Sequence, residues 1–189
     1  MAQAAEVSIP IIREALAQLR GEGLIRIRHG VGVFVASRPR RARLIRAARR
    51  RAARRDVAEL RASVEPLAAA AAAARVTDSR VLELRLLLGE RELARRTGNA
   101  RQFAEADMDL HRAVLRMSGN QLAATSVELA GPMLLRDAAA AASVLATDDR
   151  LQQLHGLLVD AIEMHRPTLA RRAALSIVAR EDPNTRGPP

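Results

Sequence analysis

VSIPIIREALAQLRGEGLIRIRHGVGVFV, residues Val7–Val35, decides how the rest of the chain is read. Ile12, Ala15, Leu16 and Leu19 fall at helical spacing, so one face of a short helix is apolar. Arg13, Gln18 and Arg20 fill the remaining positions. Gly21 and Gly23 stop that helix, since glycine is unfavourable inside a helix and favoured just past its end. Ile25 and Ile27 then alternate with Arg26 and Arg28, the pattern of a half-buried strand. His29-Gly30-Val31-Gly32 turns the chain back, and Val33, Phe34 and Val35 form the return strand.

Charge is concentrated around this stretch. The 189-residue chain carries a formal net charge of +10, and every one of its 31 basic residues is arginine. Residues 1–55 hold 14 arginines against three glutamates, a local net of +11, whereas residues 56–189 hold 17 arginines against 18 acids. A localised basic segment is either the footprint of a nucleic-acid partner, through phosphate neutralisation, or a solvated arginine-rich helix. A helix followed by a basic hairpin suits a partial winged helix-turn-helix, in which the helix enters the major groove and the wing reaches the backbone or the minor groove.

Beyond the wing the composition is helical. Alanine, leucine and arginine dominate, with two phenylalanines and no tryptophan or tyrosine. The expected fold class is mainly α, with an all-α bundle after the winged region. No cysteine is present, which excludes disulfides and thiolate metal sites and fits a cytoplasmic location. The longest apolar run, Leu67–Ala74, is too short and alanine-rich to read as a membrane span, so no membrane is expected as a partner.

The reading divides the chain at 1–37 (winged region), 38–55 (basic linker turning helical after Pro39), 56–180 (helical bundle) and 181–189 (disordered tail). Within the bundle, Val57, Leu60, Val64 and Leu67 mark the inner face of the first helix, with a kink expected at Pro66. Val81, Leu84 and Leu88 mark the second, after Thr77-Asp78-Ser79 as capping residues. A third helix runs from about Ala100 to Met117. The fourth starts near Gln121 and is expected to break at Gly131-Pro132. A fifth follows Thr147-Asp148-Asp149, and the last runs from Pro167 to about Arg180.

Asp107 and His111 are one turn apart on the third helix, on or beside the stripe of Phe103, Leu110, Val114 and Met117. His155 sits among Leu151, Leu158 and Ile162. A carboxylate and imidazoles facing a core are costly unless paired or ligated. They either hydrogen-bond one another or form a bundle-core metal site, whose N and O donors suit Zn, Mn or Ni. His165 could also reach inward from the end of its helix. Asn120 reads as a helix cap. Arg61 either grips a ligand carboxylate through its guanidinium fork or pairs with Glu65 one turn on.

Two sets of motifs carry a resemblance. Ser8, Arg13, Glu14, Ala15 and Leu16, with Pro10 as a common variant, resemble the recognition helix S-R-x-x-V-R-E-A-L of the GntR family of bacterial transcription regulators. Arg28, Gly30, Gly32, Phe34 and Val35 match its wing. Glu59, Leu60, Arg61 and Glu65, then Asp107, His111 and Ser118–Asn120, then His155–Ile162, resemble in family order the helical FCD-type domain of the FadR-like branch.

The resemblance implies a non-enzymatic regulator that binds operator DNA as a homodimer and senses a small carboxylic acid, for which Arg61 is the candidate ligand by its chemistry, with a divalent metal at Asp107, His111 and His155. DNA contacts would come from Ser8, Arg13, Arg28, His29 and Gly30. Three departures shape the expectation. Ile9 and Ile11 stand where the family has an arginine and a polar residue. Ile177 stands where it has a last histidine, leaving the site one ligand short. The family also has some dozens of residues before the position of Met1. An alternative expectation is therefore a truncated, DNA-binding-deficient sensor that dimerises with a relative. A metal-dependent hydrolase has no general base or oxyanion donor to support it.

Overall fold

A computed structural model of the chain describes residues 8–21, 24–28, 30–35, 47–48 and 51–182, with backbone only at 136, 137 and 143. It divides into two units, residues 1–51 and 52–189. Of the basic linker, only 47–48 and 51–55 are described, and residues 183–189 of the expected tail lie outside the described residues, as does His29.

The first unit contains α1 (Ile9–Gly21), β1 (Ile25–Arg28) and β2 (Gly32–Val35). The strands pair antiparallel, with Ile25 opposite Val35 and Arg28 opposite Gly32. Gly30 has φ +72° and Gly32 φ +142°, backbone conformations that glycine adopts without a side-chain clash. Of the expected apolar face, Ile12 and Leu16 are half-buried, whereas Ala15 and Leu19 are exposed. Ile9 and Ile11 point to solvent.

Among the described residues the second unit has six helices: α2 (Arg54–Arg75), α3 (Asp78–Thr97), α4 (Ala100–Met117), α5 (Gln121–Ala146), α6 (Asp149–Glu163) and α7 (Pro167–Glu181). Asn99, Asn120 and Asp148 each accept a backbone N–H from three residues on, at 3.0–3.1 Å, and so start α4, α5 and α6. Thr77 precedes α3 without making such a bond. Pro167 opens α7, where its missing N–H costs nothing. Helix α2 packs chiefly on α7, α4 on α5, and α6 on α7.

Three expectations change. Helix α5 runs unbroken through Gly131-Pro132. Pro132 is exposed, while Val127, Ala130, Met133 and Leu134 on either side of it are buried together with Met108 and Leu115 of α4. That packing offsets the lost backbone bond, which alone costs about 3 kcal/mol. Leu67 is exposed. The buried face of α2 instead carries Val57, Arg61, Glu65, Ala68, Ala69, Ala72 and Ala73. Helix α7 also extends to Glu181, taking in the first residue of the expected tail. Among the described residues no helix is long and apolar enough to cross a membrane.

Candidate metal centre and effector cavity

Four helices bring ionisable side chains to one buried point. Helix α4 supplies Asp107 and His111, α6 supplies His155, α2 supplies Arg61 and Glu65, and α7 supplies Glu181. The amphipathic pattern of α4 explains its share, because the turn that buries Leu110 and Val114 also buries Asp107 and His111. One ligand-type atom from each of Asp107, His111, His155 and Glu181 lies within 4.8 Å of the others.

The two imidazoles are held from behind. His155 Nδ1 donates to the Leu151 carbonyl at 2.8 Å, since a carbonyl can only accept. His111 Nδ1 faces Glu65 Oε2 at 2.9 Å. Both rings therefore turn Nε2 to the centre, where the two nitrogens are 3.4 Å apart. This is the arrangement in which an outer carboxylate or carbonyl sets the tautomer of a metal-binding imidazole. Asp107 Oδ1 lies 3.5 Å from His155 Nε2. Glu181 Oε1 lies 3.7 Å from His111 Nε2 and 3.6 Å from His155 Nε2.

Glu181 Oε1 is buried and has no hydrogen-bond partner. A buried carboxylate oxygen left in that state is costly unless something further binds it. The residues present thus fit a divalent ion. Asp107, His111, His155 and Glu181 would hold it, and the ion would supply positive charge at the cavity wall.

The same carboxylates are tied to arginines. Arg61 Nε donates to Glu65 Oε1 at 2.5 Å, and its Nη1 pairs with Glu181 Oε2 at 2.8 Å. Arg91 Nε donates to Asp107 Oδ1 at 2.5 Å, its Nη1 donates to Gln152 Oε1, and its Cζ lies 4.9 Å from the Phe103 ring centroid.

Titration follows from these pairings. Burial works against the charged forms of Glu65 and His111, but each is outweighed by its neighbours. Arg61 and His111 hold Glu65 down to about 2, and Glu65 and Glu181 push His111 up to about 10. Burial and the Arg91 charge lower His155 to about 4. Glu181 is held well below the usual carboxylate range by Arg61 and His111, against its burial. Without an ion, His111 is then the donor and His155 the acceptor across their Nε2 contact.

Beside the cluster lies a cavity of about 160 Å³, lined by Arg61, Asp107 and Glu181 of the cluster and by Ala138, Ala141 and Leu145 of α5, among others.

Comparison with known proteins places this geometry. The FCD domain family matches residues 56–180, and the family described as bacterial regulatory proteins, gntR family, matches residues 1–35. The chain is a GntR-family regulator with an FCD domain.

Streptococcus agalactiae GntR superposes with a TM-score of 0.63 at 25% identity, covering 95% of this chain and 83% of that one. E. coli McbR/YncC does so with a TM-score of 0.59 at 17% identity, over 92% of this chain and 82% of that one. A Listeria monocytogenes structure described as Lar, which controls expression of the agr system and mediates virulence, has a TM-score of 0.57 at 15% identity, over 96% and 81%. No curated protein sequence matches the chain. Regulators of this family are transcription factors, not enzymes.

Within the FCD domain, Asp107, His111 and His155 come together, and Arg61 sits beside them in salt bridges with Glu65 and Glu181. His165 does not join them; its Nδ1 donates to the Ala73 carbonyl at 3.1 Å. In the winged region Ser8, Arg13, Arg28 and Gly30 are all exposed. Arg28 lies over the Phe34 ring, with Cζ 5.6 Å from its centroid.

Two residues escape the sequence reading. Glu181 follows Ile177 by one helical turn, so it lies on the same face of α7, and it offers the acidic donor that Ile177 cannot. Its spacing was the available signal, hidden by ending the helix one residue early. Arg91 continues the Leu84–Leu88 stripe of α3, but an arginine on an apolar stripe gives no sign that its partner is a carboxylate on another helix.

Proposed function

We propose that this regulator senses a small organic acid together with a divalent metal (Zn, Mn or Ni), and that the acid alters how a homodimer engages operator DNA in the cytoplasm. The observation that carries the reading is the partnerless Glu181 Oε1 facing two imidazole Nε2 atoms beside a cavity. Two imidazoles and two carboxylates without thiolate suit those borderline metals. Arg61 borders the cavity, and its guanidinium would help to orient an incoming carboxylate. Ser8 immediately before α1 and Arg13 on it, with Arg28, His29 and Gly30 at the wing, would meet the DNA. Because coupling is reciprocal, DNA binding should change acid affinity by the factor by which acid changes DNA affinity.

The test is calorimetric titration of the chelator-treated chain with Mn, Ni and Zn salts, paired with mobility shifts over a salt series. One ion per chain, bound about 10-fold or more weakly by Glu181→Ala, is expected. No ion bound overturns the metal centre. The exposed Ile9 and Ile11 on α1 favour a second reading, a sensor that lacks DNA binding. Metal uptake and dimerisation with no shifted DNA at low salt would select it.

A further inference from the structure

We infer that the acid taken by this cavity is a monocarboxylate with a compact apolar body, as opposed to a polyhydroxylated or polycarboxylic acid. The inference rests on the metal-and-acid reading above and narrows its ligand class. Five charged side chains border the cavity, Arg61, Asp107 and Glu181 from the cluster and, outside it, the exposed Arg54 and the half-buried Asp182. Every other described residue lining it is apolar. Val57 and Ala58 come from α2, Met108 from α4 and Val178 from α7, and the rest are alanines and leucines of α5. None of the described lining residues carries a hydroxyl or an amide side chain. Ligand hydroxyls pressed against such a wall would lose their water without gaining a partner, and each buried unpaired group opposes binding.

The charged part of the lining makes a second argument. Its three carboxylates already outnumber its two guanidiniums, and Arg61 is shared with Glu65 and Glu181. A bound ion could attract one ligand carboxylate there. A second would have to face the alanine wall, the acidic side chains or the exposed, solvated Arg54. Size points the same way. The cavity volume is about 160 Å³, and an apolar cavity of roughly 150 Å³ holds one benzene ring.

Full-length chain loaded with Mn is titrated with benzoate, pentanoate, gluconate and succinate, with the metal alone as reference. Benzoate and pentanoate are expected to bind at least about 10-fold more tightly than gluconate and succinate, the scale of discrimination by an apolar pocket. Ala138→Leu, which fills the α5 wall, should weaken benzoate by roughly 10–200-fold and leave Mn affinity unchanged. Ala140→Leu, at an exposed position, makes the same measurement if the first variant does not fold.

Equal or tighter binding of gluconate or succinate overturns the inference while leaving the metal-and-acid reading intact. So does parental benzoate affinity in the folded wall variants. Mn uptake with none of the four acids bound overturns the inference and leaves the metal centre. Failure of the parent chain to take up any divalent ion overturns the underlying reading instead.

Discussion

Ile11 in the winged unit is 56% exposed, and Ile177 in the helical unit is fully buried. The pair stands for a wider contrast. None of the described residues of α1, β1 and β2 is buried, and the unit is specified by glycines at its turn and arginines on its strand. The helical unit buries its alanine, leucine and isoleucine stripes, and at their centre it buries a cluster of opposite charges. Local pattern defines the first; burial, including burial of charge, defines the second.

The largest effect expected is that of removing a charge from the buried cluster. Arg61→Ala leaves two buried carboxylates, Glu65 and Glu181, facing the single cation of His111 and should cost about 3–5 kcal/mol, read from urea melts in chelator. A change no greater than that of a surface arginine would show the cluster to be solvated, and the contrast would fail.

Next comes the paired isoleucine test. Ile177→Ala should cost about 2–5 kcal/mol, and Ile11→Ala less than about 0.5 kcal/mol, by the same melts.

Arg91→Met should lower Mn affinity about 10–100-fold, because Asp107 loses the guanidinium that fixes its orientation; calorimetry reads it.

A pH series on the metal-free chain is expected to give a smaller, two-sided loss. His155 is lowered, so its contribution is full above 6.5 and fades as pH falls towards about 4. Glu65, also lowered, follows below 4.5 towards about 2. His111 is raised, so its contribution is full below 6.5 and fades as pH rises through about 10. The melting temperature should therefore peak near pH 6.5, and a flat profile would contradict the pairings.

The smallest effect belongs to the winged unit. Arg28→Gln should leave stability unchanged and reduce the salt slope of DNA binding by about 0.9, the share of one phosphate contact.

Much of this was legible before any coordinates. The spacing of Phe103, Leu110, Val114 and Met117 placed Asp107 and His111 on an inner face, and Leu151, Leu158 and Ile162 did the same for His155. Turn glycines and alternating arginines defined the hairpin. Such features repeat with the period of the local backbone, so a single segment contains the whole signal. The continuity of α5 through Pro132 was not legible, because it depends on what α2 and α4 pack against either side of the proline. Nor was the buried face of α2, where an ion pair and alanines displace Leu67. Arg91 was beyond reach for the same reason, and Glu181, although its spacing from Ile177 shows in the sequence, takes its role only from the same packing: each has its meaning in a partner many residues away, and only the packing of α2, α3, α4, α6 and α7 into one core selects that partner.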